Sequence, residues 1–212
     1  MVRLLLILVL ISGMAAPASA NGLDFARQAQ QAESRREFEQ AAMLYTKAIE
    51  SGDLQQNQLI DAIRYRGNAS FFLGRFDAAA EDYLHSLKLG PDDLYTSLWL
   101  FMAREYAGQD GLPELTRVAE RLDLFYWPGP LANLFLGRTD VRATLEAARD
   151  PFLDLQGQNE QACEAYYYAG QYALLNGDRE TAIRLFRESV KTGVTNFIEY
   201  DAARLALERL GG

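Results

Sequence analysis

The sequence has few of the side chains that bind metals or carry out nucleophilic chemistry. Its 212 residues include one histidine, His85, and one cysteine, Cys163. A single histidine and a single cysteine cannot supply the usual ligand set of a zinc site, and a lone cysteine cannot close an internal disulfide. We therefore expect no metal, no cofactor and no internal disulfide. His85 is expected at the surface or at the edge of a groove, and Cys163 as a packed or partly exposed thiol.

Basic residues are outnumbered. Lys and Arg total 21 against 29 Asp and Glu, which gives a formal net charge of −8 without any basic block. An acidic chain of this kind is not expected to bind nucleic acid or an anionic membrane surface. Most carboxylates are expected on solvated helix faces, since no spacing indicates a calcium loop or a glycosidase pair. This expectation covers Glu114, Glu120, Asp123, Glu160 and Glu164.

A long apolar run stands at the N-terminus. Arg3 precedes Leu4–Ile11, and the small residues Ala18-Ser19-Ala20 follow. This pattern predicts a signal peptide over residues 1–20 that is cleaved to leave Asn21 first. The run is about half the length of a membrane-spanning helix, so a retained anchor is the lesser alternative. Because no lipobox cysteine follows the cleavage site, we expect a periplasmic protein of a Gram-negative bacterium without a membrane anchor.

From residue 23 onward the chain has the periodicity of helices. Apolar residues recur three and four positions apart, as at Phe38, Ala41, Tyr45 and Ala48, whereas strand-like alternation is absent from the sequence. Glycine, proline and aspartate interrupt the helices at short intervals. The sequence therefore predicts a single all-α domain over residues 21–212.

Three segments of this domain share a pattern of small and aromatic residues. They span about 22–55, 60–93 and 163–196, and the shared positions are Ala29, Ala41 and Tyr45, then Gly67, Ala79 and Tyr83, then Gly170, Ala182 and Phe186. Small residues let two helices approach closely, and the aromatic rings fill the space between adjacent pairs. The pattern resembles the tetratricopeptide (TPR) repeat, a helix pair of about 34 residues. The predicted fold is a TPR-type α-solenoid, a right-handed superhelix of antiparallel helix pairs.

Two parts of the domain depart from this pattern. Residues 94–160 form a degenerate segment in which we expect helices near Leu131–Leu136 and at Val141–Ala148, the latter capped by Asp140. Asn196 is expected to cap a final helix over 197–210. This helix is predicted to cover the open end of the stack, because terminal repeats need a cap.

The first helix of each pair in such a solenoid faces a concave groove, which is where TPR domains usually hold another protein. The predicted groove residues are Asp61, Arg64, Asn68, Phe71, Phe72, Tyr95, Met102, Tyr106, Tyr167 and Gln171. Arg64 and Asn68 lie one turn apart, and a guanidinium beside an amide can hold a peptide carboxylate or backbone. This resembles one half of the carboxylate clamp of chaperone-binding TPR domains. An ordinary surface ion pair between Arg64 and Asp61 is an equal alternative.

Three stretches, 97–100, 127–137 and 166–211, resemble the NlpI-like TPR family of bacterial cell-envelope proteins, and the resemblance extends over about 22–211. It implies a non-enzymatic periplasmic adaptor that links murein hydrolases with a C-terminal processing protease, and that forms homodimers. The family's lipobox cysteine is absent here. The main alternative is a structural subunit of a cell-envelope secretion or assembly complex. An enzyme that uses carboxylates on a helical scaffold is a third, weaker hypothesis.

Overall fold

The computed structural model describes residues 21–212, so the predicted signal peptide lies outside the described residues. Over this range the chain forms eleven helices and no strand. They are α1 (Gly22–Ser34), α2 (Phe38–Glu50), α3 (Gln56–Phe72), α4 (Phe76–Leu89), α5 (Leu94–Tyr106), α6 (Leu112–Ala119), α7 (Gly129–Phe135), α8 (Val141–Ala147), α9 (Leu155–Leu175), α10 (Arg179–Lys191) and α11 (Ile198–Leu210). None of these helices is long and apolar enough to cross a membrane.

Consecutive helices pack as pairs, and each pair packs on the next. The pairs α1–α2, α3–α4 and α9–α10 correspond to the three predicted repeats, and α2 contacts α3 as α4 contacts α5. The segment 94–160 contains two further and shorter pairs, α5–α6 and α7–α8. Short turns between the helices make the partners of each pair antiparallel. The structure thus confirms an all-α solenoid of the TPR type.

Two glycines explain how the paired helices come so close. A methyl group added at Gly170 would lie 2.6 Å from the Phe186 ring, and one added at Gly67 would lie 2.9 Å from the Tyr83 ring. Both rings are fully buried, as is Ala182 at the start of α10. The small residues of the repeat pattern therefore have the packing role that the sequence predicted.

Helix ends differ from the predicted repeats at several points. α3 begins at Gln56 and α9 at Leu155, both earlier than the predicted repeat starts at 60 and 163. Asp154 extends α9 because its side chain accepts a hydrogen bond from the backbone N–H of Gly157 at 2.8 Å. Asp140 caps α8 as predicted, through the N–H of Ala143 at 2.8 Å. The predicted cap Asn196 does not hold that position, because α11 begins one residue later and Phe197 precedes its first turn.

The last helix packs on the final pair and also has contacts that the sequence did not predict. α11 packs on α9 and α10, but its far end also reaches the first half of the chain. Arg209 donates a hydrogen bond to the backbone carbonyl of Phe72 at the end of α3. Glu208 forms a two-pronged ion pair with Arg36 in the α1–α2 turn, at 2.9 and 3.1 Å. Instead of covering only an open end, α11 closes the inner side of the solenoid.

Candidate binding cleft

The closed inner side removes much of the predicted groove from solvent. Phe71, Phe72, Tyr167 and Gln171 are buried and Tyr106 is half-buried. Together with side chains of α11, these five residues surround a small apolar cavity of about 230 Å³. In this conformation α11 lies across the face where a partner's segment was expected, which limits access to these residues.

Met102 has no exposed surface and lines none of the cavities described here. The reason is its position on α5, where every residue from Thr96 to Ala103 is buried. This helix is central to the chain and is covered on all sides, so the Met102 side chain does not face a groove. The structure therefore gives no support to Met102 as a residue that contacts a partner.

The polar groove residues line an open cleft of about 570 Å³, called here the inner cleft. It lies between α3, α5, α9 and the beginning of α11. The residues that matter for its chemistry are Arg64, Asn68, Asp93, Tyr95, Glu164 and Glu199. Three of these six, Arg64, Asn68 and Tyr95, belong to the predicted groove set.

Arg64 is held on one side of the inner cleft by two contacts. Its Nη2 lies 2.8 Å from Oδ1 of the exposed Asp61, and its guanidinium stacks on the Tyr65 ring at 4.6 Å. The predicted alternative of an ordinary Arg64–Asp61 ion pair is therefore present. The Nε of Arg64 is nevertheless buried without a hydrogen-bond partner among residues 21–212. The guanidinium still has a donor to offer a ligand.

Asn68 is only 3% exposed, yet it lines the inner cleft. Its Oδ1 accepts a hydrogen bond from the buried hydroxyl of Tyr83 at 2.8 Å, which fixes the orientation of the amide. The amide nitrogen makes no hydrogen bond within the described part of the chain. Asn68 is thus a rigidly held donor directed at the cleft, one helical turn from Arg64.

Glu164 was expected on a solvated helix face, and this expectation is wrong. It is 8% exposed. Both its oxygens accept from the Tyr95 hydroxyl at 3.0 Å, and Oε2 also accepts from the indole N–H of Trp127 at 2.5 Å. Burial raises the pKa of Glu164, although these donors oppose the shift. The carboxylate is therefore a fixed acceptor inside the cleft.

Glu199 is the second carboxyl group of the inner cleft and is 4% exposed. Its Oε1 accepts from the Tyr168 hydroxyl at 3.2 Å. Burial, and the nearby negative charge of Glu164, raise the pKa of Glu199 to about 8. Among residues 21–212 neither Glu164 nor Glu199 belongs to an ion pair. The raised pKa favours the protonated form of Glu199 at neutral pH.

The repeat register contained a signal for Glu164 but none for Glu199 or Trp127. Glu164 occupies the position in the last repeat that Asp61 occupies in the second, and Asp61 was assigned to the groove on that basis. Glu199 belongs to α11, and Trp127 to the irregular segment before α7. Neither position is covered by the repeat pattern, so sequence reasoning missed both.

The single cysteine is packed inside the domain, and the single histidine lies at its surface. Cys163 is fully buried, with its Sγ 3.5 Å from the Ser189 hydroxyl, and burial raises the pKa of the thiol. This confirms the packed thiol and disfavours a nucleophile. His85 is exposed on α4. In the region that the structure describes, no three metal-binding side chains come together.

No family model matches the sequence. Among solved structures, the chain is similar to one described as "YrrB: a TPR protein with an unusual peptide-binding site". The two share 18% sequence identity with a TM-score of 0.43, over 87% of this chain and 92% of that chain. Similarity at this level does not extend to function.

Proposed function

We propose that this protein is a non-enzymatic adaptor or scaffold that binds partner proteins through the inner cleft. The observation that carries this proposal is that Arg64 and Asn68 line the inner cleft and that each has an N–H without a partner among residues 21–212, while the apolar groove residues are covered. Preoriented donors that no group of the protein satisfies are suited to peptide carbonyl or carboxylate oxygens. The aromatic side chains beside them add contact area with little loss of rotamer freedom.

The cellular setting of this proposal comes from the sequence. The predicted signal peptide places the adaptor in the periplasm, and the NlpI-like stretches suggest murein hydrolases and a C-terminal processing protease as partners. A structural subunit of an envelope secretion or assembly complex is the alternative. It differs by an observable property, because such a subunit co-purifies stoichiometrically with a membrane complex.

The experiment is a pull-down with the mature chain, residues 21–212, from a periplasmic extract, followed by mass spectrometry. We expect a murein hydrolase or a processing protease, and we expect it to be lost with Arg64→Ala/Asn68→Ala. The matched control is Arg187→Ala/Asn57→Ala, since both of these residues are exposed and lie outside the cleft. Recovery of neither protein class, or equal recovery with both double variants, contradicts the proposal. Circular dichroism verifies that the Asn68 variant is folded, because Tyr83 loses an acceptor in it.

Glu164 and Glu199 support a second candidate, an enzyme that uses two buried carboxyl groups of one cleft as acid and base. The candidate is weaker because Glu164 is already engaged by the donors of Tyr95 and Trp127. Its test is hydrolysis of purified murein. Activity that is present in the natural chain and absent in Glu164→Gln or Glu199→Gln would establish it in place of the adaptor.

A further inference from the structure

We propose that the inner cleft binds a basic group, an alkylammonium or a guanidinium, carried by a side chain of a partner protein. This inference rests on the proposed function in so far as the basic group belongs to a protein. It adds the chemistry of the segment that the cleft selects.

The two buried carboxyl groups of the inner cleft form no ion pair with a Lys or Arg of the described residues. A buried carboxylate is costly unless a positive charge or several donors compensate it. Glu164 has the donors of Tyr95 and Trp127, but no Lys or Arg within residues 21–212 forms an ion pair with it or with Glu199. Both carboxyl groups nevertheless line a cleft that is open to solvent. A ligand cation would supply the charge that the chain itself does not.

Aromatic side chains line part of the inner cleft. Tyr65, Trp99 and Phe197 contribute to the walls of the same cleft. Aromatic rings attract cations, and they also pack against the aliphatic stems of lysine and arginine side chains. The inner cleft therefore has carboxyl groups for a charged head and apolar surface for the stem that carries it.

Two N–H donors at the cleft, separate from the carboxyl groups, indicate that the ligand is a peptide. Asn68 is nine-tenths buried, and its amide nitrogen, like Nε of Arg64, has no partner in the described chain. Oxygen acceptors of a ligand can pair with the amide nitrogen of Asn68, which borders the cleft. A peptide segment with a basic side chain offers both the cation and carbonyl oxygens, whereas a simple amine offers only the cation. The acidic chain, at −8, also favours the approach of a basic segment.

Binding of a cation should be coupled to loss of a proton from Glu199. Its raised pKa of about 8 means that the cation must displace a proton at neutral pH. The titratable and charged groups that face Glu199 come from α9, from α5 and from the α3 side of the cleft, namely Glu164, Tyr167, Tyr168, Cys163, Tyr95, Asp93 and Arg64. Deprotonation of Glu199 as the pH rises from 6 to 8 adds a negative charge to the cleft. Affinity for a cation is therefore expected to rise over this range.

The chain offers a direct reporter of the site. It contains two tryptophans, and the indole N–H of Trp127 donates to Glu164. A ¹H–¹⁵N spectrum of the mature chain should thus show two indole signals, with Trp127 reporting on the cleft. The probes are n-butylammonium and n-butylguanidinium, with n-butanol as the neutral control, each at pH 6 and pH 8.5. We expect both cations to shift the Trp127 signal saturably and more tightly at pH 8.5, and butanol to leave it in place.

Variants then assign the effect to the carboxyl groups. Glu199→Gln and Glu164→Gln should each raise the dissociation constant for butylammonium by about tenfold or more. Glu81→Gln, on the exposed outer face of α4, should not change it. Equal shifts by butylammonium and butanol, or unchanged binding in Glu199→Gln, overturn the inference. If Glu164→Gln does not fold, Glu199→Gln and the pH comparison still decide the question.

Peptides distinguish a protein side chain from a free amine as the natural ligand. Acetyl-Ala-Ala-Lys-Ala-Ala-amide should bind more tightly than butylammonium, and its N-acetyl-lysine counterpart should not bind. Tighter binding of the free amine than of the lysine peptide overturns the assignment to a protein. The outcome is separate from the pull-down, because a partner can be captured without a basic side chain and a cation can bind without an adaptor role.

Discussion

Gly170 provides the sharpest test of how the last helix pair is packed. In Gly170→Ala the new methyl carbon would lie 2.6 Å from Cε1 and 2.7 Å from Cδ1 of Phe186. Non-bonded carbons prefer about 3.5–4.0 Å, so the intrusion is about 1 Å, and the fully buried ring has no free space to move into. Overpacking costs about 1–3 kcal/mol, while replacing glycine by alanine in a helix gains about 1 kcal/mol. Because the intrusion is deep, we expect a net loss of about 1–2 kcal/mol.

Thermal and urea unfolding followed by circular dichroism measure this loss. For a chain of this size, it corresponds to a fall in Tm of about 2–8 °C. Gly67→Ala should have a smaller effect, since its methyl would lie 2.9 Å from the Tyr83 ring. In a Phe186→Val background, which removes the ring, Gly170→Ala should lose most of its cost. A Gly170→Ala protein as stable as the natural one, or the same cost in both backgrounds, would refute the reasoning.

Further predictions concern packing, pH and the contacts of α11. Ala182→Leu should overpack the α9–α10 interface and lower the free energy of unfolding in urea by about 1–3 kcal/mol; no change would contradict the repeat register. Burial raises the pKa of Glu199 from its ordinary 4.5 to about 8, so the folded state holds a proton that the unfolded state releases. Stability should therefore fall as the pH rises from about 4.5 to 8, and melting curves at pH 5 and 8 should show a smaller fall for Glu199→Gln. Glu208→Gln should change Tm little, because its ion pair with Arg36 is partly exposed, but amide hydrogen exchange should accelerate in the last turn of α11. Unchanged exchange there would mean that the pair does not hold α11 in place.

Local patterns predicted most of the fold. The spacing of apolar residues and the Gly67–Tyr83 and Gly170–Phe186 pairs depend only on neighbours in sequence, and they predicted the three long helix pairs. The degenerate segment proved to be two shortened pairs, of which α7 and α8 were expected near their observed positions. The contacts of α11 with the first half of the chain were not predicted, because residues such as Arg209 and Phe72 are 137 residues apart. No local periodicity records a contact of that kind.

Only part of the candidate site could be predicted from the repeat pattern. Arg64, Asn68 and Tyr95 were predicted from the repeat register, and the structure brings them to one cleft, although binding there stays a prediction. Phe72 and Tyr167 were predicted from the same register but are covered, because the register describes an open groove and α11 closes it. Glu199 was missed for the same reason, since it reaches the cleft only through the position of α11.

Closure by α11 changes how the chain should respond to unfolding and to ligands. In an open solenoid each pair contacts only its neighbours, so the ends can fray independently. Here the Arg36–Glu208 and Phe72–Arg209 contacts join residues 172 and 137 positions apart, which links the last helix to the first two pairs. Loss of the last helix then disturbs the first pairs as well, and unfolding should be a single cooperative transition. A ligand in the inner cleft would accordingly raise the stability of the whole chain, not of one repeat.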